Sequence, residues 1–327
     1  MKSKHFFVII PLVLISLFTQ AREKYVIVIH GGAGVMSKEK MSEEQRVEYK
    51  AKLNEALQLG EQMLKEGAAA TDVVVKVINV MENSPLFNAG KGAVFTHDGV
   101  NELDASIMEG KTMNAGAVAG VRDIKNPICA ARAVMDNSEH VMLSGTGASE
   151  FAKQEGLEIV PNKYFYTESR YQSLQQLLKQ ERQREKKDNM GTVGCVVLDT
   201  YGNLSAGTST GGMTNKRYGR IGDSPIIGAG TYANNKTCAI SCTGHGEYYI
   251  RLGFARDISA LMEYKGLGVD EACQAEIGKL TALKGDGGVI AVDAEGNIAL
   301  EFNTSGMFRG YIKSSGEKDI AIFKDDN

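Results

Sequence analysis

Apolar residues recur along the chain with two periods, and the longer period predicts helices. A capping box formed by Ser42 and Gln45 begins a long helix, and Gly67 ends it. A second helix is expected from an N-cap at Thr71 to Met81. Helical spacing also predicts three later helices, over residues 127–135, 247–264 and 269–280.

Shorter apolar runs bounded by turn residues predict strands. Residues 193–199 and 204–208 flank the turn Tyr201-Gly202-Asn203, and residues 288–293 and 298–300 flank a similar turn, so each pair indicates a hairpin. Further strands are expected over residues 25–29, 93–95, 105–108, 117–121 and 141–144. Strands, then helices, then strands again predict an α+β fold in which helices cover sheets.

The segment over residues 171–188 begins with helical character and ends as a charged run. Such a run is usually the solvated face of a folded chain, and that interpretation stays open at this point. Here the run gives way at Gly191-Thr192 to an apolar strand. An exposed charged stretch before a buried strand is also typical of a cleavage site, which would make Thr192 a new N-terminus.

Residues 1–21 have the three zones of a secretory signal peptide: Lys2 and Lys4, the apolar run from Phe6 to Phe18, and small residues that end at Ala21. The alternative is a membrane anchor, but the apolar run has 13 residues, which is shorter than the roughly 20 that are needed to span a bilayer. We expect cleavage after Ala21 and export of the remaining chain, periplasmic or secreted, with no membrane segment in its mature form.

The composition is that of an ordinary globular protein, since 43% of the 327 residues are hydrophobic and 24% are charged. The formal net charge of −3 provides no basic surface, so no nucleic-acid partner is expected. The five cysteines show no C-x-x-C spacing, and the five histidines form no metal-binding motif. Neither a disulfide framework nor metal-dependent catalysis is predicted.

A serine-hydrolase pattern is present but incomplete. Residues 207–211, GTSTG, fit the G-x-S-x-G motif around Ser209, and Asp223 and His245 follow in the order of a catalytic triad. In that motif a strand leads directly into a helix, whereas residues 212–226 contain three glycines and a proline. The pattern therefore gives little support to a serine nucleophile.

Thr192 fits a different kind of nucleophile. A threonine hydroxyl needs an adjacent base, and a free α-amino group on the same residue, with a reference pKa near 7.7–8.0, is suitable at neutral pH. The hydroxyl can free that amine by attacking the Gly191 carbonyl, where the missing side chain leaves room for a tetrahedral adduct. The simpler interpretation is that Thr192 is a β-branched residue that opens a strand, and the Gly-Thr pair by itself favours that interpretation.

Seven ordered motifs span nearly the whole chain after residue 21. They are IHGGAG (29–34), PLFNAGKGAVF (85–95), NELDASIMEG (101–110), GTVGCVVLD (191–199), GTSTGGMTNKRYGRIGDSPIIGAGTYANN (207–235), CTGHGE (242–247) and FNTSGM (302–307). Together they resemble the plant-type asparaginases and isoaspartyl (β-aspartyl) peptidases of the N-terminal-nucleophile (Ntn) hydrolase superfamily. Several long motifs in a consistent order make this resemblance far more specific than any single motif.

The resemblance implies roles for individual residues. Thr192 matches the nucleophile, which autocleavage after Gly191 releases as an N-terminus. Thr210 matches a second threonine that hydrogen-bonds near the nucleophile, and Asn88 matches an asparagine that helps to position it. These assignments make the step at 191–192 the centre of the expected site.

The resemblance also implies how a substrate is held. Arg220 and Asp223 match the pair that binds the substrate's α-carboxylate and α-amino group. Thr243 and Gly244 match the oxyanion hole, and Gly246 matches a further main-chain contact to substrate.

Family members adopt a four-layer αββα sandwich, so the resemblance implies that fold, cut into residues 22–191 and 192–327 that stay associated. It also implies a dimer of such two-chain units. No catalytic cofactor is expected, but a structural sodium ion is, held by main-chain carbonyls of Met81, Glu82, Ser84, Phe87, Ala89 and Lys91.

The expected activity is hydrolysis of β-aspartyl dipeptides and L-asparagine to L-aspartate. Glycosylasparaginase, a relative within the superfamily, is the first alternative, although it usually has Asp-Thr at its cut site and Asn and Asp where this chain has His245 and Glu247. The chain also has no tryptophan to stack on a sugar. The second alternative is an exported binding protein without catalysis.

Overall fold

The structure is a computed structural model that describes residues 24–34, 36, 38–39, 41–182 and 191–326. The predicted signal peptide over residues 1–21 and most of the charged run, residues 183–190, lie outside the described residues. Its helices are α1 (Glu43–Lys65), α2 (Ala70–Glu82), α3 (Pro127–Asn137), α4 (Gly145–Gln154), α5 (Glu168–Arg182), α6 (Gly246–Leu252), α7 (Phe254–Lys265) and α8 (Val269–Ala282).

The strands form two sheets. They are β1 (Val26–Gly34), β2 (Leu103–Glu109), β3 (Ala115–Val121), β4 (Met142–Ser144), β5 (Val193–Leu198), β6 (Leu204–Thr210), β7 (Thr231–Ala233), β8 (Cys238–Gly244), β9 (Gly287–Asp293), β10 (Ile298–Phe302), β11 (Gly306–Lys313) and β12 (Lys318–Phe323). The larger sheet has the order β12-β11-β1-β5-β6-β2-β3-β4, and the smaller has the order β10-β9-β8-β7. Neighbouring strands are antiparallel except for β3 and β4.

Alternation along β1 shows how the sheets are covered. Ile27 and Ile29 belong to a core shared with α1 and α2, whereas Val26 and Val28 belong to a second core shared with the smaller sheet. Residues two apart on a strand face the same side, so each face of β1 packs against a different layer. The mixed α+β fold expected from the sequence is confirmed, and so are both hairpins.

The start of α1 is as predicted, because Ser42 and Gln45 form the capping box. The predicted N-cap of α2 is wrong: Ala69 occupies that position, and the helix begins at Ala70. The Asp199 carboxylate accepts a hydrogen bond from the Ala70 N–H at 2.9 Å. A residue distant in sequence therefore caps this helix, and the Thr71 hydroxyl pairs with a neighbouring strand instead.

Two further predictions are corrected. The helix expected over residues 247–264 is broken at Gly253, whose φ of 60° ends α6 and starts α7. Residues 93–95 form no strand apart from a single bridge from Phe95 to Asn101. The reason is that the Asn101 amide donates to the carbonyls of Ala93 and Val94, where a neighbouring strand would otherwise bind.

Within the described part of the chain, no helix has both the length and the apolar character needed to cross a lipid bilayer.

Candidate active site

Thr192 lies directly before β5, between the two sheets, and is 6% exposed. Because β5 pairs with β6 so that Val193 faces Ser209, Thr192 comes to lie beside Thr210. Thr192 Oγ1 lies 3.2 Å from Thr210 Oγ1. The structure thus brings together two threonines that are 18 residues apart in sequence.

The Gly191 carbonyl oxygen is the convergence point of this site. It accepts hydrogen bonds from Asn88 Nδ2 at 2.7 Å, from Thr210 Oγ1 at 3.1 Å and from Thr192 Oγ1 at 2.7 Å. Donors aimed at a carbonyl oxygen polarise it and stabilise the negative charge that forms there when a nucleophile adds. The peptide bond between Gly191 and Thr192 is therefore activated for attack.

Asn88 is fixed in place by every polar atom of its side chain. Its Nδ2 also donates to the Gly212 carbonyl at 2.7 Å, and its Oδ1 accepts from the Val94 N–H at 2.9 Å. The residue is 2% exposed. A buried amide with all of these bonds made has one orientation, so the donor it presents to Gly191 is preorganised.

Arg220 and Asp223 line the same cavity as Thr192, Thr210 and Gly244. The Arg220 guanidinium does not bind Asp223, however. Its Nε and Nη2 donate to the two carboxylate oxygens of Glu247 at 2.8 and 2.9 Å. The planar donor fork that a substrate carboxylate would need already holds a carboxylate, supplied by α6.

Asp223 is 4% exposed, and its Oδ2 has no hydrogen-bond partner among the described residues. Burial raises the pKa of this carboxyl group to about 7, against the lowering effect of its own main chain and of Arg220. A buried carboxylate with one unpartnered oxygen in a cavity is suited to an ammonium group, which would donate to that oxygen and favour the ionised form of the carboxyl group.

The predicted oxyanion residues lie at the end of β8. The Thr243 hydroxyl accepts from the Ala33 N–H at 3.3 Å, and Gly244 lines the cavity. Gly244 has a φ of 153°, which glycine adopts readily. Gly246 packs against Asp223, since a Cβ there would come within 2.8 Å of Asp223 Oδ1.

The serine-hydrolase arrangement is excluded by the direction of Ser209. Its hydroxyl donates to Glu82 Oε1 at 2.6 Å, on the face of β6 opposite to Thr210. Glu82 also accepts from the Ile128 N–H at 3.0 Å. Burial raises the pKa of Glu82 to about 7, and its three hydrogen-bond donors oppose that rise.

The predicted cation loop directly follows α2. A Cβ on Gly90 would collide with the Glu82 carbonyl oxygen, and a Cβ on Gly92 would collide with the Phe87 carbonyl oxygen, so glycine allows close packing of this loop. The Met81 and Ala89 carbonyls accept hydrogen bonds from the Ser84 and Gly92 N–H groups within the loop. The cation donors expected here, Met81, Glu82, Ser84, Phe87, Ala89 and Lys91, stay a prediction. No group of three or more His, Cys, Asp or Glu side chains in the described ranges could hold a metal ion.

Sequence reasoning missed Glu247 as the partner of Arg220. The two residues are 27 positions apart and come from a loop and a helix, so no local pattern relates them. It also missed His30, which is completely buried and pairs with Gly194, two residues after Thr192. The IHGGAG motif contains His30, but the sequence does not indicate the partners of the imidazole ring, which depend on how the sheets pack.

Known proteins resemble this chain over most of its length. The Asparaginase_2 (asparaginase) family model matches residues 23–322. The isoaspartyl peptidase of Escherichia coli (strain K12) is 49% identical over 311 residues, which cover 92% of this chain and 97% of that protein. A probable isoaspartyl peptidase/L-asparaginase 2 of Arabidopsis thaliana is 43% identical, covering 92% of this chain and 99% of that protein.

An isoaspartyl peptidase/L-asparaginase of Xenopus laevis is 39% identical over 306 residues, covering 93% of this chain and 97% of that protein. These relatives match the chain almost from end to end, as the family model does. The chain therefore belongs to the asparaginase family, within the Ntn-hydrolase superfamily.

Proposed function

We propose that the chain is a self-processing amidohydrolase that releases L-aspartate from β-aspartyl (isoaspartyl) dipeptides and from L-asparagine, with Thr192 as nucleophile. The observation that carries the proposal is the Gly191 carbonyl, which Asn88 and Thr210 polarise while the Thr192 hydroxyl lies against it. The printed names of the relatives, isoaspartyl peptidase and isoaspartyl peptidase/L-asparaginase, support the substrate class.

Self-processing begins when Thr192 Oγ1 attacks the Gly191 carbonyl carbon. The carbonyl oxygen becomes an oxyanion that Asn88 and Thr210 stabilise, the hydroxyl proton passes to the Thr192 nitrogen, and the amide becomes an ester. Water then hydrolyses that ester into a Gly191 carboxylate and a free Thr192. The α-amine released in this way is the base that the next reaction uses.

Turnover uses the same hydroxyl a second time. The Thr192 α-amine takes the proton of Oγ1, which attacks the side-chain carbonyl of the substrate while Thr243 and Gly244 stabilise the oxyanion. Ammonia or an amino acid leaves with that proton. Water hydrolyses the resulting β-aspartyl ester and releases aspartate. Arg220 holds the α-carboxylate of the substrate, and Asp223 holds its α-ammonium group.

As a member of this family the chain is a hydrolase, and the family needs no catalytic cofactor. We further propose the four-layer αββα arrangement, fragments 22–191 and 192–327 that stay associated, a dimer of these units, and export after removal of residues 1–21. Sodium in the loop after α2 would hold that loop and take no part in the reaction.

Two alternatives make different predictions. A glycosylasparaginase would prefer GlcNAc-Asn, and a binding protein would retain an intact 191–192 bond. The isoaspartyl peptidase relatives and the absence of tryptophan from the sequence favour the proposed activity over the first. The hydrogen bonds to the Gly191 carbonyl favour it over the second.

The test begins with purified chain kept at 37 °C. It should convert to two fragments, the smaller beginning TVGCVV, whereas Thr192→Ala should stay intact and inactive. A Thr192→Ala variant that is still cut at this bond would contradict the nucleophile assignment.

Hydrolysis of β-Asp-Leu, α-Asp-Leu and GlcNAc-Asn should then be compared for the wild type and Arg220→Ala. We expect β-Asp-Leu to be preferred, because only this dipeptide presents both α-groups. Arg220→Ala should lose roughly 30- to 1,000-fold in kcat/KM, because the α-carboxylate of the bound substrate would be left without its charged partner. Equal wild-type rates on the two dipeptides would overturn the substrate clamp, and a preference for GlcNAc-Asn would favour the glycosylasparaginase alternative.

A further inference from the structure

A layer of polar side chains lies directly beneath the active site, in the space between the two sheets. Residues two apart on a strand share a face and are roughly 6.6 Å apart. Thr208 therefore lies one step below Thr210 on β6, and Ser241 lies one step below Thr243 on β8. Surrounding positions in this space are apolar, among them Val28, Ala206 and Val196 in the core between the sheets.

These side chains form one continuous chain of hydrogen bonds across the two sheets. His30 Nε2 lies 3.0 Å from Ser241 Oγ, which lies 2.6 Å from Thr208 Oγ1. Thr231 Oγ1 lies 2.6 Å from Thr208 Oγ1 and 2.8 Å from Ser106 Oγ. All five residues are 0% exposed. We call them the under-site chain.

The two ends of the under-site chain reach functional groups. At one end His30 pairs with Gly194 on β5, two residues after Thr192, and its Nδ1 has no hydrogen-bond partner among the described residues. At the other end the Ser106 hydroxyl lies 2.6 Å from the Ser224 carbonyl oxygen, directly after Asp223. Burial lowers the pKa of His30 to about 3, and the effect of the Thr192 main chain only partly opposes this, so the imidazole is neutral near pH 7.

The under-site chain fits only because residue 194 is glycine. Gly194 on β5 pairs with His30 on β1. A Cβ at Gly194 would collide with both Ser241 Oγ and His30 Nε2. The strand that carries the nucleophile therefore leaves room for the His30 to Ser241 contact two residues after Thr192.

Buried hydroxyl groups need partners wherever they lie, so a simple structural explanation is that these five satisfy one another. That explanation does not account for the position of both ends. One end packs against β5 at Gly194, two residues after the nucleophile, and the other end bonds the main chain of Ser224, next to the residue that we propose holds the substrate's ammonium group. Networks in a low-dielectric interior fix the relative positions of the groups that they connect.

We propose that the under-site chain, His30, Ser241, Thr208, Thr231 and Ser106, positions Thr192 and the Asp223-Ser224 segment relative to each other. This inference rests on the proposed function. The five residues are positioning residues, since none of them is placed against substrate. Removing a hydroxyl in the middle of the under-site chain should impair both the nucleophile and substrate binding. Removing one near either end should mainly impair the function at that end.

The test uses Thr208→Val, which keeps the side-chain shape and removes the hydroxyl, and Thr208→Ser, which keeps the hydroxyl. Thr237→Val is the matched control, because Thr237 and Ser259 form a buried hydroxyl pair at 2.7 Å that does not belong to the under-site chain. The measurements are the rate of self-cleavage, kcat and KM for β-Asp-Leu on fully cut protein, and the melting temperature.

Thr208→Val should lower kcat and raise KM, together costing about 10- to 100-fold in kcat/KM, as expected for small misplacement of reacting groups. Thr208→Ser should recover most of this loss. Thr237→Val should lower the melting temperature similarly but leave kcat and KM unchanged. Ser241→Ala should slow self-cleavage and lower kcat, whereas Ser106→Ala should raise KM and leave self-cleavage unchanged; this pair carries the test if Thr208→Val does not fold.

The inference alone is overturned if the wild type is active and Thr208→Val keeps its kcat and KM while losing stability as the Thr237→Val control does. Equal effects of Ser241→Ala and Ser106→Ala on self-cleavage would also overturn it. A wild type that neither cuts itself nor hydrolyses β-Asp-Leu would overturn the proposed function, and this inference with it.

Discussion

Replacing Asn88 with alanine removes a preorganised donor from the Gly191 carbonyl oxygen. In the structure this bond is 2.7 Å long, and the parallel bond from Thr210 is 3.1 Å long. When Thr192 attacks, the oxygen gains negative charge and each of these bonds becomes charge-assisted. Losing one donor to a developing oxyanion costs about 2.7–4 kcal/mol, which corresponds to roughly 10²- to 10³-fold in rate.

Asn88→Ala should therefore cut itself roughly 10²- to 10³-fold more slowly than the wild type. Thr210→Val should be affected less, by about tenfold, because its bond is longer, 3.1 Å against 2.7 Å, which puts its charge-assisted contribution at the low end of the range, about 1.5 kcal/mol. The assay is cell-free synthesis followed by a time course on denaturing gels, with the first-order loss of the intact chain as the measured rate.

The matched control is Asn101→Ala. Asn101 is 1% exposed and donates to the carbonyls of Ala93 and Val94, in the loop that also holds Asn88, but it makes no bond to Gly191. Both variants should lose stability, and only Asn88→Ala should lose the cleavage rate. Cleavage of Asn88→Ala within about threefold of the control would refute the argument that this amide stabilises the oxyanion.

Three further predictions concern carboxyl groups. Burial raises the pKa of Asp223 to about 7, so the carboxylate that binds ammonium forms only as pH rises through that value; kcat/KM for β-Asp-Leu should rise with it, and a profile flat from pH 5.5 to 8 would contradict this. Glu247 competes with substrate for Arg220 and its side chain is 54% exposed, so Glu247→Gln should lower KM for L-asparagine by up to about fivefold, the equivalent of the ~1 kcal/mol of an exposed ion pair; an unchanged or higher KM would argue against this competition. The pKa of Glu82 is raised by burial to about 7 from 4.5, so its contribution to stability is present below pH 4.5 and is lost as pH rises through about 7. Glu82→Gln should therefore show a smaller fall in the free energy of unfolding between pH 5 and 9, measured by urea titration, and a fall as large as that of the wild type would be the contrary result.

The sequence predicted the elements whose determinants are local. The capping box of Ser42 and Gln45 and the two hairpins depend on residues a few positions apart, and the structure contains them. The start of α2 depends on Asp199, and the conformation of residues 93–95 depends on Asn101, so tertiary contacts replaced the local signals there. The apolar spacing over residues 247–264 continues through Gly253. This glycine adopts a left-handed conformation, which ends a helix whatever the apolar spacing.

The sequence predicted which residues lie in the candidate site better than it predicted the contacts between them. The motifs named Thr192, Thr210 and Asn88, and the structure brings all three to the Gly191 carbonyl. What the sequence could not predict is the partner of each group, because partners such as Glu247 and Arg220 come from different elements. The packing of strands and helices from different parts of the chain determines those contacts, and residue spacing in the sequence does not specify that packing.

The position of β1 between β11 and β5 has a consequence for how long the enzyme lasts. After a cut at 191–192, β1 would belong to one polypeptide and both of its neighbours to the other, and the junction of β6 with β2 would also join different polypeptides. Unfolding would then release two separate molecules, and refolding would require them to meet, so recovery would depend on concentration. A dilute, heated sample should lose activity permanently, whereas uncut Thr192→Ala should regain its fold on cooling. The working lifetime of the cut enzyme would therefore be set by its rate of unfolding and not by an equilibrium.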